Sequence, residues 1–147
     1  MPNEAEEHLV IAAARINALV FELWLAVERD GPRYDEFELT GQQHAVLGRI
    51  VADPDITPRA LAEALGVTKG AISQHLTLLK REGYLSRRRS DRDGRVHVLH
   101  LEERGRDYQA MLQRYQQYSI DKYITKLSAT DVDEIVAALE KLRNAFA

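Results

Sequence analysis

Residues 57–105 contain two closely spaced helix caps followed by two short strand patterns, and this segment constrains the fold most. Thr57 can cap a helix whose first residue is Pro58, a position where the missing backbone N–H costs nothing. Gly66 is suited to the left-handed residue that ends that helix. Thr68 can then cap a second helix directly after the turn. Two short helices joined through a glycine turn predict a helix-turn-helix.

The second helix, predicted over residues 69–83, has an apolar face and a polar face. Ile72, Leu76 and Leu79 recur at helical spacing and are expected to face the core. Glutamine can pair bidentately with adenine, and serine or threonine can reach several bases in a major groove. The residues of this segment that we predict to contact DNA are Thr68, Lys69, Ser73, Gln74, Thr77 and Arg81. A polar face that is merely solvated has a similar composition, so this helix alone does not distinguish a DNA-binding face from a solvated one.

A basic hairpin follows the second helix. Residues 84–89 have a strand pattern that ends in three consecutive arginines, and residues 95–101 return as a second strand. The segment 90–94 has turn chemistry, with Asp-Gly closing it. Arg92 at the tip is predicted to enter a narrow minor groove, where negative potential is enhanced, and Arg95 is also predicted to contact DNA. The whole order of elements predicts a winged helix-turn-helix, a fold that grips duplex DNA.

The chain resembles the MarR family of bacterial transcription regulators, and the resemblance spans nearly its whole length. It rests on a series of short motifs: Leu39-Thr40 with Gln43, Leu61-Ala62, Leu65-Gly66, Leu79, Glu82-Gly83-Tyr84-Leu85, Arg92-Asp93-Gly94-Arg95, Leu101 and Gly105. Two positions depart from the family pattern. Ser90 stands where the family often has Asp, and Glu102 replaces the usual Thr, which is a better helix cap. The resemblance implies an intertwined dimerisation region built from the first and last helices.

Charge is distributed unevenly along the chain. The net charge is −3, so the chain as a whole lacks a basic signature. Residues 69–95 nevertheless hold eight Lys or Arg and three Asp or Glu, a balance of +5, while the remainder carries −8. A basic patch on an acidic body attracts DNA at one surface and repels it elsewhere. This distribution favours oriented, site-specific binding.

Long apolar helices are predicted at both ends of the chain. The first, at about residues 4–29, is apolar on almost all sides, and a helix of that kind must be buried on several sides. Another long helix is predicted over residues 104–126, and a last helix restarts at a capping box of Ser128 and Asp131. Either a homodimer or an intramolecular three-helix cap would bury these surfaces. We favour the homodimer, because Trp24 would otherwise be hard to bury.

The predicted fold class is mainly α with a small β-hairpin wing (α+β). A single MarR-like domain, 1–147, would comprise a winged helix-turn-helix lobe at 36–104 and dimerisation helices at 4–33 and 105–147. A short middle helix over 40–52 would begin with a capping box.

Several classes of chemistry are disfavoured. The 147-residue chain has no cysteine, which excludes disulfides, thiolate zinc sites and cysteine redox switches. Its five histidines lack converging spacing, and there is no nucleophile elbow or phosphate-binding glycine loop. We therefore expect no enzyme activity, no metal and no cofactor. We also expect no membrane partner, because no run is long enough to span a bilayer. The acidic start lacks a signal-peptide pattern, which predicts a cytoplasmic protein.

The MarR resemblance also implies an effector cavity between the dimerisation helices and the DNA-binding lobe. Trp24, His44, Tyr108 and Met111 are predicted to line it and to suit a small aromatic acid or phenol, with ordinary core packing as the alternative. The sequence thus predicts a homodimeric, sequence-specific regulator of near-palindromic double-stranded DNA, most simply a repressor released by a small effector. The alternative is a winged-helix protein-interaction module that binds an acidic partner.

Overall fold

The structure is a computed structural model that describes residues 3–31, 35–89 and 97–146. Its elements, in chain order, are α1 (Glu4–Asp30), a short 3-10 helix (Asp35–Phe37), α2 (Gly41–Ala52), α3 (Pro58–Leu65), α4 (Lys69–Arg81), β1 (Leu85–Arg89), β2 (His97–Leu101), α5 (Glu103–Lys126) and α6 (Ala129–Asn144). The predicted fold class, mainly helical with a small β-hairpin, is confirmed.

The chain divides into two compact units. The central unit comprises residues 34–113, and the terminal unit comprises residues 1–33 together with residues 114–147. Helix α5 starts in the central unit and ends in the terminal unit. The predicted winged-helix lobe, 36–104, lies within the central unit.

The helix-turn-helix forms through the local signals that the sequence contains. The Thr57 hydroxyl accepts a hydrogen bond from the Ala60 N–H at 3.1 Å, and the Thr68 hydroxyl accepts one from the Ala71 N–H at 3.1 Å. Between the two caps, Gly66 adopts a left-handed conformation with φ of 63°. The predicted caps and turn are therefore confirmed, and they set the direction in which α4 leaves α3.

A single hydrophobic core holds the central unit together. The three residues of α4 predicted to face inward, Ile72, Leu76 and Leu79, are buried, as are Leu47 and Ile50 of α2. Helix α2 begins with the predicted capping box, in which the Thr40 hydroxyl accepts from the Gln43 N–H and the Gln43 side chain accepts from the Thr40 N–H. Burial of apolar area at about 25 cal/mol per Å² makes this core the main source of stability for the unit.

Strands β1 and β2 pair in an antiparallel register that runs from Leu85 opposite Leu101 to Arg89 opposite His97. The two predicted strands are confirmed over these spans. Strand β1 begins one residue later than expected because Tyr84 is fully buried and its N–H donates to the Leu79 carbonyl. The predicted turn at 90–94 lies outside the described residues.

The terminal unit exposes most of its apolar surface. In α1 the large apolar side chains other than Val27 are between 43% and 68% exposed, and neither α1 nor α6 contains a buried residue. The predicted capping box of Ser128 and Asp131 is confirmed and starts α6 at Ala129. In the part of the chain that the structure describes, no intramolecular three-helix cap buries the apolar faces of α1 and α6.

The expectation that no segment is long enough to cross a bilayer is wrong for α1. This helix has 27 residues and contains an 18-residue window with a mean hydropathy of 1.8. Only Arg15 and Glu22 are charged between Leu9 and Ala26, so this helix is both long enough and apolar enough to match a membrane-spanning segment. Length and composition of this kind are shared by core helices of soluble proteins and by signal sequences, so they do not establish a membrane span.

Candidate nucleic-acid interface

Helix α4 presents an exposed polar face opposite the core. The six predicted contact residues on this segment are all exposed: Thr68, Lys69, Ser73, Gln74, Thr77 and Arg81. The side chains of Ile72 and Leu79, on the other side, are at most 1% exposed. The predicted division into an inner and an outer face is confirmed. The contacts of these residues with DNA stay a prediction.

The hydroxyl groups of this face are held in defined positions. Thr68 is anchored by its cap to the Ala71 N–H, and the Thr77 hydroxyl donates to the Ser73 carbonyl at 2.8 Å. Ser73, Gln74 and Thr77 border a shallow depression of about 430 Å³, whose remaining wall is Leu78. Hydroxyl and amide groups beside an apolar patch can hydrogen-bond to base edges and contact a thymine methyl group.

The arginines of strand β1 lie on two different faces of the hairpin, because successive strand residues point to opposite sides. Arg87 and Arg89 share a face with buried Leu85, whereas Arg88 shares a face with Ser86. All three arginines are exposed. Strand β1 follows α4 after a three-residue connection and contacts it, so the basic strand and the polar helix face belong to one compact unit.

Glu102 holds Arg88 at the base of the wing. The Arg88 guanidinium donates to the Glu102 carboxylate with an Nη2–Oε1 distance of 2.8 Å, and the Ser86 hydroxyl donates to the same oxygen. These hydrogen bonds, from Ser86 first and then from Arg88, lower the pKa of the Glu102 carboxyl. His100 Nδ1 lies 3.9 Å from that oxygen. The residue expected to be a weak helix cap is therefore an ion-pair partner of the wing.

Arg104 and Gly105 attach α5 to the start of the wing. The Arg104 guanidinium lies 4.4 Å from the centre of the Tyr84 ring and donates to the Glu82 carbonyl at 3.0 Å. Burial raises the pKa of the Tyr84 hydroxyl, which donates to the Phe37 carbonyl at 2.8 Å. The contacts of Arg104 and Glu102 are not predictable from the sequence, since no local pattern distinguishes these residues from solvated charges.

The remaining predicted DNA contacts, Arg92 and Arg95, lie outside the described residues. Among the described basic residues of α4 and β1, two are partly neutralised. Arg88 pairs with Glu102 at 2.8 Å, and Arg81 lies 3.9 Å from Glu82.

The residues predicted to line an effector cavity have different environments. His44 Nδ1 and the Tyr108 hydroxyl are 3.0 Å apart, and burial lowers the pKa of His44. Met111 is only 1% exposed and packs in the core of the central unit. Trp24 belongs to the terminal unit, where it is 52% exposed and stacks on Phe21 at a centroid distance of 5.8 Å. The structure thus brings together His44 and Tyr108, and the shared cleft stays a prediction.

No cluster of three or more potential metal ligands occurs within residues 3–31, 35–89 and 97–146. Of the histidines, His75 has a buried Nδ1 that lacks a hydrogen-bond partner and borders a small cavity of about 120 Å³ between α2 and α4.

Comparisons with known proteins agree with this geometry. Residues 37–96 match a model of the MarR family. An uncharacterized HTH-type transcriptional regulator of Bacillus cereus is 39% identical over 69 residues, which are 47% of this chain and 45% of that relative. The chain thus spans less than half the length of the curated relatives that it matches first.

Two solved structures cover nearly the whole chain. Streptococcus pneumoniae FabT, solved in complex with DNA, is 26% identical, with a TM-score of 0.64 and coverage of 98% of this chain and 97% of its own. A MarR-like transcriptional regulator of Thermotoga maritima has a TM-score of 0.75 at 17% identity, covering 91% of this chain and 96% of its own. At 17% identity, the match to the Thermotoga maritima regulator shows the fold alone. With its capped helix-turn-helix, its arginine-rich hairpin and these matches, the chain is similar to MarR-family transcription regulators and has their winged helix-turn-helix fold.

Proposed function

We propose that this protein is a cytoplasmic, homodimeric transcription regulator that binds near-palindromic double-stranded DNA and is released from it by a small molecule. The observation that carries the proposal is the exposed polar face of α4 beside the arginines of β1 in one compact unit. That FabT, the 26% identical relative, was solved with DNA supports the same partner for this chain. Similarity to a family of regulators, with no catalytic constellation in the sequence, favours a binding function over an enzymatic one.

The α4 face supplies the groups that a major-groove helix needs. Gln74 would read a base edge, with Ser73 and Thr77 beside it. The N-terminal end of α4, where Thr68 and Lys69 are exposed, would contact a phosphate through free backbone N–H groups and the positive end of the helix dipole. Arg81 at the other end would contact the backbone on the far side of the groove.

The wing supplies charge and minor-groove contact. Arg87 and Arg89 are exposed, and Arg92 and Arg95 belong to the predicted hairpin that follows. Basic groups on the two sides of α4 would fix its register on the duplex, because phosphate contacts position a protein without specifying sequence.

The dimer follows from the apolar surfaces of the terminal unit. Leu23 of α1 is 55% exposed and Leu139 of α6 is 54% exposed, amid further exposed apolar side chains on both helices. Contiguous apolar surface of this kind marks a protein–protein interface. A two-fold dimer would place two α4 helices in successive major grooves about 34–36 Å apart.

Release by an effector requires a ligand that binds better to a dimer with another helix spacing. The hydrogen-bonded His44 and Tyr108 side chains offer polar groups for a small aromatic acid or phenol. With Trp24 and Met111 they form the proposed effector site. Repression is the proposed mode of regulation, and it would result if the operator overlaps a promoter.

The experiment that tests the proposal is a fluorescence-anisotropy titration of a duplex from the DNA upstream of the protein's own reading frame. If the dimer neutralises about six to ten phosphates, affinity should fall about 10³–10⁵-fold between 50 and 200 mM salt. A scrambled duplex of the same length is the control for specificity. Affinity that ignores both salt and sequence would instead support the rival function, a winged helix that binds an acidic protein partner.

Dimerisation is tested separately by sedimentation equilibrium at micromolar concentration. Leu23→Asn should shift the protein toward monomer and lower its thermal stability, because it places an amide in an apolar interface. Glu6→Gln, in the first turn of the same helix, is the matched control and should leave the dimer intact. A wild-type monomer at that concentration would contradict the dimer.

A further inference from the structure

A groove of about 340 Å³ runs beside strand β2 in the central unit. Its apolar lining comes from Ile50 at the end of α2, Pro54 in the following turn, and Leu99 and Leu101 of β2. None of these residues belongs to the proposed DNA-binding face or to the proposed effector site. The volume lies at the lower end of the range for small-molecule sites, about 300–1,000 Å³.

The strand edge that borders the groove carries backbone groups directed away from β1. Glu102 N–H donates to the Tyr84 carbonyl at 2.9 Å, so Glu102 points its backbone toward β1. Along an antiparallel strand, the backbone N–H and C=O groups of successive residues point alternately toward and away from the partner strand. The N–H and C=O groups of Leu99 and Leu101 therefore point away from β1, toward the open edge. The Leu101 carbonyl accepts from the Arg106 guanidinium at 3.0 Å, which agrees with that direction.

Three polar side chains border the same groove: His100, Arg106 and Gln109. The bond from Nη1 to the Leu101 carbonyl holds the Arg106 guanidinium at the groove edge and leaves its other N–H groups to donate elsewhere. Within the described ranges, no carboxylate lies within 4.0 Å of that guanidinium. A positioned cation beside an apolar lining is the pairing that recognises an anion with an apolar body.

We infer that this groove binds a small monocarboxylate with an apolar body of about ten non-hydrogen atoms. The carboxylate accepts hydrogen bonds from the Arg106 guanidinium and from the Gln109 amide, and the apolar body lies against Ile50, Pro54 and Leu99. The occupant contacts α2, β2 and α5 at once, so it joins the root of the wing to the two helices beside it. This site is independent of whether the protein binds DNA.

The test uses the full-length protein without DNA and 3-phenylpropanoate as the probe. The neutral 3-phenylpropanamide, of nearly the same shape, is the matched ligand control. A ligand of about eleven non-hydrogen atoms should bind with a dissociation constant on the order of millimolar. Titration followed by ¹⁵N chemical shifts should move the backbone signals of Leu99, Leu101, Arg106 and Gln109.

Two variants separate a specific site from general attraction of an anion. Arg106→Gln should weaken binding of the acid about tenfold or more, because it removes a charge-assisted hydrogen bond. Arg59→Gln removes one exposed positive charge from α3, outside the groove, and should bind the acid as the wild type does. The amide should bind the wild-type protein at least about tenfold more weakly than the acid.

A larger loss of affinity for the acid in Arg106→Gln than in Arg59→Gln, with chemical-shift changes centred on the groove, supports the site. Equal affinity of acid and amide for the wild type overturns it, and that comparison holds even if Arg106→Gln destabilises the fold. No binding at about 20 mM acid, more than tenfold above the expected dissociation constant, also overturns it. So do shifts centred on His44 and Tyr108, which would place the ligand at the proposed effector site instead.

Discussion

Replacing Gly105 with alanine would force a new methyl group against the backbone at the start of the wing. A Cβ built at this position lies 2.2 Å from the Tyr84 carbonyl oxygen and 3.1 Å from Leu101 Cδ2. Ordinary contacts between such atoms are about 3.5 Å, so α5 and the Tyr84 backbone must separate by roughly 1 Å. The same carbonyl oxygen accepts the Glu102 N–H at 2.9 Å, and the separation would strain that bond.

The net cost follows from three opposing effects. Overpacking costs about 1–3 kcal/mol, and weakening one hydrogen bond costs about 0.5–1.5 kcal/mol. Alanine restricts the unfolded chain and so returns about 0.4–1 kcal/mol. We therefore expect Gly105→Ala to lower the free energy of unfolding by about 0.5–4 kcal/mol, which corresponds to a fall of about 2–14 °C in Tm for a chain of this size.

Gly48→Ala is the matched control, measured by the same thermal and urea denaturation with circular dichroism. Gly48 lies inside α2, and nothing lies within 4 Å of the Cβ that the substitution would add. That variant should be more stable than the wild type by about 0.5–1 kcal/mol, the helix preference of alanine over glycine. If both variants gain stability equally, the close approach of α5 to Tyr84 is refuted.

Three further predictions concern the candidate interface. Glu102 has a lowered pKa in the fold, so its stabilisation of the wing is present above about pH 4.3, the ordinary pKa of glutamate, and is lost as pH falls through the folded value. Glu102→Gln should therefore be less stable than the wild type at pH 7, and the gap should close in melts at lower pH. Gln74→Ala should reduce discrimination at one base pair per half-site by about 1–3 kcal/mol, whereas Arg81→Ala should weaken binding to all duplexes alike. Arg92→Ala should keep the wild-type Tm but weaken operator binding about tenfold, more so with A·T-rich flanks, and equal affinity on both flanks would exclude a minor-groove contact.

Local structure was predictable because its causes are local. Thr57, Thr68 and Ser128 each cap the helix that follows, since a cap needs only a short polar side chain and an N–H three residues away. Gly66 ends α3 in the left-handed conformation, and this too is set by a single residue. The apolar spacing within α4 likewise identified which side faces the core.

Contacts between distant residues were not predictable from spacing. Tyr84 was expected to open a strand, yet its hydroxyl reaches the Phe37 carbonyl, 47 residues earlier in the chain. Met111 is buried in the core of the central unit, and the cleft that it is predicted to share with Trp24 stays a prediction. Helical periodicity identifies an apolar face but not its partner, so a core residue and a pocket residue look alike in sequence.

Charge counted along the sequence also overstates what the wing can offer to a phosphate. The count of +5 for residues 69–95 includes Arg88 but omits Glu102, which is seven residues beyond the segment and pairs with Arg88 at 2.8 Å. Strand alternation puts Arg87 and Arg89 on the opposite side, out of line with that carboxylate. A phosphate that approached Arg88 would have to displace Glu102, whereas one that approached Arg87 or Arg89 would not. Within residues 85–89 and 97–102, the wing therefore has a two-arginine surface on one side and an intramolecular ion pair on the other.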